Sequence, residues 1–176
     1  MSVGLLRILL LSDRVPPENR GGAGRVAWLL AGGLRDAGHE VYVIAATPGV
    51  AFEEVRDGIP TYHLHSRYPG RFSAYLSLYN PQTMPHLRRL YAQIRPDVVN
   101  AHNVHVDLSY ASLTLAYGLG IPAVFNSHDV MPFAYAKLTH FIDPARNGVD
   151  SPQAYRLPRF YNLKQMRFRY NPLRNS

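Results

Sequence analysis

Residues 5–44 read LLRILLLSDRVPPENRGGAGRVAWLLAGGLRDAGHEVYVI, and their order decides the fold. An apolar run is followed by a loop holding Pro16-Pro17 and Gly21-Gly22-Ala23-Gly24. An amphipathic stretch comes next, and Gly38-His39-Glu40-Val41 opens a second apolar run. The first run, interrupted only by Arg7, suits a central parallel strand covered on both faces. In residues 25–37, Val26, Leu29, Leu30, Leu34 and Ala37 form one stripe at helical spacing, and Gly38 is a ready C-cap. Strand, glycine-rich turn, helix and parallel strand together place backbone N–H groups at a helix N-terminus, where a phosphate or another anion can bind.

The alternation continues outward from this unit. Residues 40–46 form the second strand, with Thr47-Pro48-Gly49 as its exit, and residues 53–65 read as a strand pair around Asp57-Gly58. Residues 66–85 are rich in Tyr, Ser and Pro without a period, and predict a loop or irregular helix. Helical spacing returns over 84–94 and is broken by Arg95-Pro96-Asp97. A strand over 97–101, a helix over 107–119 and a strand over 122–126 follow. This predicts an α/β fold with a doubly wound, mostly parallel, Rossmann-like sheet and right-handed crossovers. The expected organisation is a domain over residues 1–142 and a partly helical basic, aromatic-rich segment over 143–176. The strand pattern lapses beyond residue 140, so the half-fold is expected to be truncated or to lean on a partner.

Composition narrows the classes. The 176 residues are 47% hydrophobic, enough for a core, and contain no cysteine, which excludes disulfides and thiolate metal sites. Arg7 and Asp13-Arg14 bound the first apolar run at one strand's length with no small-residue cleavage pattern, so it reads as a strand and not as a signal peptide. The net charge of +7 is uneven: residues 1–150 carry +1 and residues 151–176 carry +6 with no acid. Arg156, Arg159, Lys164, Arg167, Arg169 and Arg174 alternate there with Tyr155, Phe160, Tyr161, Phe168 and Tyr170. Such a segment suits an anionic surface, of which a membrane is the expected one and nucleic acid is not. The favoured reading is nevertheless a solvated stretch, or one whose apolar residues pack on another part of the protein. A cytoplasmic protein, peripheral at a membrane if attached at all, is the expectation.

Gly22-Ala23-Gly24-Arg25-Val26-Ala27 fits G-x-G-x-x-A, the dinucleotide fingerprint. Two details oppose that reading. About nine residues separate the strand from the glycines, and the second strand ends Ile44-Ala45-Ala46-Thr47, without the acid that holds a ribose hydroxyl. A phosphate-binding P-loop also fails, because no Lys-Ser/Thr follows the glycines. The remaining rival is structural: glycines that only let helix and sheet pack closely.

Several motifs in order carry a more specific signal. Pro16-Pro17, Gly21-Gly22, Ala37-Gly38-His39-Glu40-Val41, Arg95-Pro96-Asp97-Val98-Val99-Asn100-Ala101-His102-Asn103 and Gly120-Ile121-Pro122 leading to Ser127-His128-Asp129 closely resemble the N-terminal domain of family 4 glycosyltransferases over residues 5–135. The resemblance implies one half of a GT-B fold, in which two Rossmann-like domains face across a cleft. The N-terminal domain mainly binds the acceptor and the C-terminal domain the nucleotide sugar, in a retaining transfer that needs no bound metal. Gly21, Gly22 and Gly24 then lie on the donor-diphosphate side, His128 takes the catalytic position beside the reacting sugar, and His102, Asn103, His105, Asp129 and Arg25 contact substrate. No cofactor is held tightly, and the nucleotide sugar is a co-substrate. The partners implied are that donor, an acceptor of unread identity, and a C-terminal GT-B domain or partner subunit. Without that half the chain is expected to be inactive, and an uncovered docking face is expected to favour self-association.

Other readings of the same residues stay open at this level. His128 at a strand end can simply satisfy loop carbonyls. Ser127-His128-Asp129 is no hydrolytic triad, because adjacent residues of extended chain point to opposite sides. A metal held by His102 with His105, or with His63 and His65, lacks a carboxylate partner, and His63 and His65 read as surface residues. Arg25 at a helix start is often only solvated. The functional alternative is a stand-alone, non-catalytic module that binds a carbohydrate or an anion; an oxidoreductase is the weaker third.

Overall fold

The computed structural model describes residues 4–18 and 21–129, and the first compact unit of the chain is Met1–His128. Its sheet is built on β1 (Arg7–Ser12), in which every residue from Ile8 on is buried. Around it lie β2 (Glu40–Thr47), β3 (Phe52–Arg56), β4 (Ile59–His65), β5 (Val98–His102) and β6 (Ala123–Asn126). The order is β3-β4-β2-β1-β5-β6, parallel throughout except for β3, which runs antiparallel to β4.

Four α-helices are described: α1 (Gly22–Asp36), α2 (Ser73–Leu76), α3 (Met84–Ile94) and α4 (Ala111–Gly118). Because side chains alternate along a strand, Ile8 and Leu10 face α1, where Ala31, Trp28, Leu30 and Leu34 join them. Leu9 and Leu11 face the other way and pack with Leu87, Leu90, Tyr91 and Ile94 of α3 and Ala116 of α4. The chain thus winds from β1 through α1 to β2 on one side and places β5 on the other flank of β1. This is the doubly wound, Rossmann-like α/β sheet the alternation predicts.

Local chemistry sets the element ends. Gly38, at φ +93°, closes α1: its N–H donates to the Arg35 carbonyl (2.8 Å) and the His39 N–H to that of Leu34 (3.1 Å). Asp57 and Gly58 both take positive φ in the tight turn between β3 and β4. Arg95, left-handed at φ 50°, ends α3 ahead of Pro96. The Asp97 carboxylate accepts from the Arg7 N–H (2.7 Å) and the Asp97 N–H donates to the Arg7 carbonyl (2.8 Å), which sets β5 in register with β1. Residues 66–83 contain only a 3₁₀ turn (Gly70–Phe72) and the single turn of α2, in keeping with their irregular sequence.

Four expectations are corrected. Leu5 and Leu6 lie outside β1 and are exposed. α1 begins at Gly22, not Arg25, and its buried residues are Gly24, Ala27 and Ala31. Val26 is 47% and Leu29 67% exposed, because at about 100° per residue Leu29 stands about 200° round the helix from Ala27. Small side chains let the helix lie close to the sheet at the centre of the contact, Leu30 and Leu34 of the expected stripe pack at its edge, and Val26 and Leu29 turn away. α4 begins only at Ala111, because residues 106–108 turn their N–H groups to a side chain described below and Ser109 takes φ 65°. His63 is 2% exposed, not a surface residue. It sits on β4 between β2 and β3, with Nε2 3.0 Å from Glu54 and its ring stacked on Phe52. Among the described residues no helix is long and apolar enough to cross a membrane. The expected segment over 143–176 lies outside the described residues.

Candidate active site

Doubly wound sheets bind ligands where the carboxyl ends of strands from the two windings diverge. Here that point lies between β1 and β5, whose last paired residues are Ser12 and His102; His102 in turn pairs with Asn126 of β6. Directly after Ser12, the buried Asp13 carboxylate accepts three backbone hydrogen bonds, from Val106 (2.7 Å), Asp107 (2.8 Å) and Leu108 (2.8 Å). Burial pushes this carboxyl up to about 7, the three N–H groups oppose the rise, and the charge of Asp107 adds to it.

The loop after β5 is held from other sides as well. Arg14 donates to the Ala46 carbonyl (2.8 Å) and pairs with Asp107 (2.9 Å), whose carboxyl is raised by burial and lowered by Ser66 and Arg14. The Asp107 carbonyl accepts from Asn80 Nδ2 (2.6 Å) and Thr83 Oγ1 (3.1 Å). Asp13, Arg14 and Asp107 were not among the residues singled out from sequence. The available signal was the position of Asp13 itself: a charged residue immediately after a buried strand, where solvent is already excluded.

The glycine loop rises opposite. After the cis Pro16–Pro17 bond the chain reaches Gly21, extended at φ −139°, which caps α1. Gly21 offers no side-chain cap and α1 has no acid in its first turn, so the positive end of the helix dipole is uncompensated within the helix. Gly21 and Gly22 are exposed, and a Cβ built on either meets nothing within 4 Å. Close packing therefore does not account for them. Gly24 differs: it is buried on the sheet side of α1. A cavity of about 270 Å³ lies between the loops, lined by Ser12, Asp13, Arg14, Gly21, Ala23 and Gly24 on one side and Asn103, His105 and Val106 on the other. Arg25 is exposed one residue beyond and does not line it.

The histidines converge beside this cavity. His102 is 2% exposed, and its Nδ1 lies 2.8 Å from Nε2 of the exposed His128, with ring centroids 5.0 Å apart. The His128 backbone N–H donates to Asn103 Oδ1 (3.0 Å), and Asn103 itself takes φ 45°. Burial first, and then the neighbouring His128, hold His102 down to about 4, so at neutral pH it is uncharged. His105 is buried beside the Tyr110 ring. Asp129, the last described residue, is exposed. Among the described residues no three His, Asp or Glu side chains are placed to hold a metal ion.

Of the positions expected to contact ligands, Gly21, Gly24, Asn103 and His105 thus share one cavity, and Asn103 and His102 tie His128 to its rim. The fold, with these loops at its switch point, is that of a Rossmann-like half-domain of the GT-B kind. The sequence model of Glycosyltransferase Family 4 matches residues 20–168, most of the chain, and the chain belongs to that family as its N-terminal domain. No curated protein matches it.

Proposed function

We propose that this domain is the acceptor-side half of a retaining glycosyltransferase that moves a sugar from a nucleotide-sugar donor to an acceptor. The observation that carries the reading is the open space over Gly21 and Gly22: packing calls for glycine at neither residue, and Gly22 stands inside the first turn of α1, where glycine is a poor helix former. A diphosphate suits a helix N-terminus whose first turn carries no acid. As the bond from sugar to diphosphate breaks, the leaving group gains charge, and fixed N–H dipoles stabilise that charge without reorganising. Arg25 adds a positive charge one residue further on. His128 then holds a sugar or acceptor oxygen, with Asn103 and His105 on the acceptor side. A C-terminal GT-B half, on the same polypeptide or as a partner, supplies most of the nucleotide affinity.

The test is transfer from radiolabelled nucleotide sugars by the natural gene product, with Gly21→Ala, Gly22→Ala and His128→Ala variants. Gly22→Ala is expected to keep its melting temperature, since alanine finds room there and favours the helix, whereas Gly21→Ala should lose about 1 kcal/mol because alanine caps a helix less well than glycine. Turnover should nevertheless fall about tenfold or more, because a misplaced diphosphate loses its alignment. His128→Ala should fall further with equally little loss of stability. Full activity in all three variants would refute the assignment, and saccharide binding without transfer by the wild type would favour a binding module.

A further inference from the structure

We infer that His102 is a positioning residue that holds His128 in the tautomer with its proton on Nδ1, so that His128 meets its ligand as a hydrogen-bond donor and not as a base. The assignment rests on the proposed reading only for what His128 touches; the tautomer itself follows from the geometry.

The two rings share one N–H···N bond, His102 Nδ1 to His128 Nε2 at 2.8 Å. One nitrogen must donate and the other accept. The deciding atom is the other nitrogen of the buried ring. His102 Nε2 is enclosed and has no hydrogen-bond partner among the described residues. If His128 Nε2 were the donor to a neutral His102, His102 would carry its own proton on that enclosed Nε2. A buried N–H without an acceptor is the rarer and costlier defect. If His102 Nδ1 donates instead, the enclosed atom is a bare lone pair and the bond is made. His128 Nε2 is then an acceptor already in use, and the single proton of the neutral His128 ring stands on Nδ1. An imidazolium at His128 would still carry Nδ1–H, but its added proton on Nε2 would end the bond accepted from His102 Nδ1–H, so the bond as drawn belongs to the neutral ring. In neither state is Nδ1 a lone pair able to take a proton from an acceptor hydroxyl.

The surroundings keep the pair in place. His102 is the last residue of β5, in register with Ser12 and Asn126 on its two flanks. The His128 backbone is tied to Asn103 Oδ1 at 3.0 Å. Asn126, two residues before His128, donates from Nδ2 to Asn100 Oδ1 at 2.5 Å, which fixes the strand end that delivers His128. The bond therefore joins two anchored strand ends, one ring buried and one at the surface.

Nitrogen-15 NMR of the histidine-labelled chain at about pH 8.5, where an ordinary imidazole is neutral, reads the tautomer directly. The wild type should show His128 protonated at Nδ1, with an imine-like Nε2. His102→Leu, which removes the donor, should return His128 to the Nε2–H form that a free imidazole prefers. His102→Gln, whose amide can donate to Nε2, should retain more of the Nδ1–H form than the leucine variant does. Nε2–H on His128 in the wild type overturns the inference, as does an unchanged tautomer in a folded His102→Leu chain. Should the leucine variant fail to fold, the wild-type spectrum and His102→Gln still decide. In the transfer assay, His102→Leu should lower kcat with little change in KM, and His102→Gln should recover part of the loss. An Nδ1–H signal together with no transfer by the natural gene product would refute the glycosyltransferase reading and leave the tautomer standing; transfer by that product with an Nε2–H signal would do the reverse.

Discussion

Removing the Asp13 carboxylate should release the loop that carries Asn103 and His105. In Asp13→Ala, the N–H groups of Asp107 and Leu108, two buried residues, lose their acceptor, and that of the more exposed Val106 turns to water. Each buried donor left unmade costs about 1–3 kcal/mol and the third bond about 1 kcal/mol. Relief of the buried charge, which burial already disfavours, returns part of this. The net loss should be about 3–4 kcal/mol, a large share of the stability of a small domain. Asp13→Asn keeps an oxygen for the Asp107 and Leu108 N–H groups, drops the charge and sets an amide N–H against that of Val106, so about 1 kcal/mol is expected. Urea unfolding at unchanged m-value reads both, and hydrogen exchange at Asp107 and Leu108 should accelerate in the alanine variant alone. A loss below about 1 kcal/mol in Asp13→Ala, with those amides still protected, would refute the clamp.

Two further outcomes follow from packing and charge. Ala31→Leu should destabilise by about 1–3 kcal/mol, because the position is fully enclosed against the sheet, whereas Leu29→Ala on the exposed side should change little; equal effects would overturn the assigned face of α1. The pH dependence of stability should differ between wild type and His102→Gln. His102 is held from 6.5 down to about 4 in the folded state, so between those values the unfolded chain binds a proton that the native chain does not. Its contribution is full above about pH 6.5 and lost as pH falls towards 4, about 3 kcal/mol in all. Asp13, raised to about 7, acts in the opposite sense over an overlapping range, since its penalty fades as pH falls, so the wild-type curve alone conceals the effect. The difference between the two urea-unfolding curves should shrink by about 3 kcal/mol from pH 7 to pH 4, and parallel curves would contradict the buried, neutral His102.

Much of the fold is legible in local patterns because those patterns have local causes. The apolar run at Ile8 to Leu11 can only be a strand buried on both faces, Gly38 and Arg95-Pro96 end helices by their own backbone preferences, and Asp57-Gly58 makes its turn without help. The glycine pair and the histidines after β5 and β6 were legible as candidates for the same reason: loops at strand ends announce themselves by composition. The face of α1 was legible only in part: Leu30 and Leu34 pack on the sheet, but helical periodicity weighs large side chains and the close contact uses Gly24, Ala27 and Ala31. His63 was not legible, because its burial depends on β3 folding back beside β4.

What the amino-acid order determined by itself is the strand and helix succession, which depends on neighbours within a few residues, and the doubly wound class and the family, which depend on the order of such local motifs along the chain. The tertiary structure alone decided which residues meet. Asp13 and the loop at 106–108 are more than ninety positions apart, and His102 and His128 are twenty-six apart. They meet because β1, β5 and β6 lie side by side in register, so that the ends of strands distant in the chain become adjacent. Contacts of that kind set the burial, charge state and tautomer of the site, and no local pattern carries them.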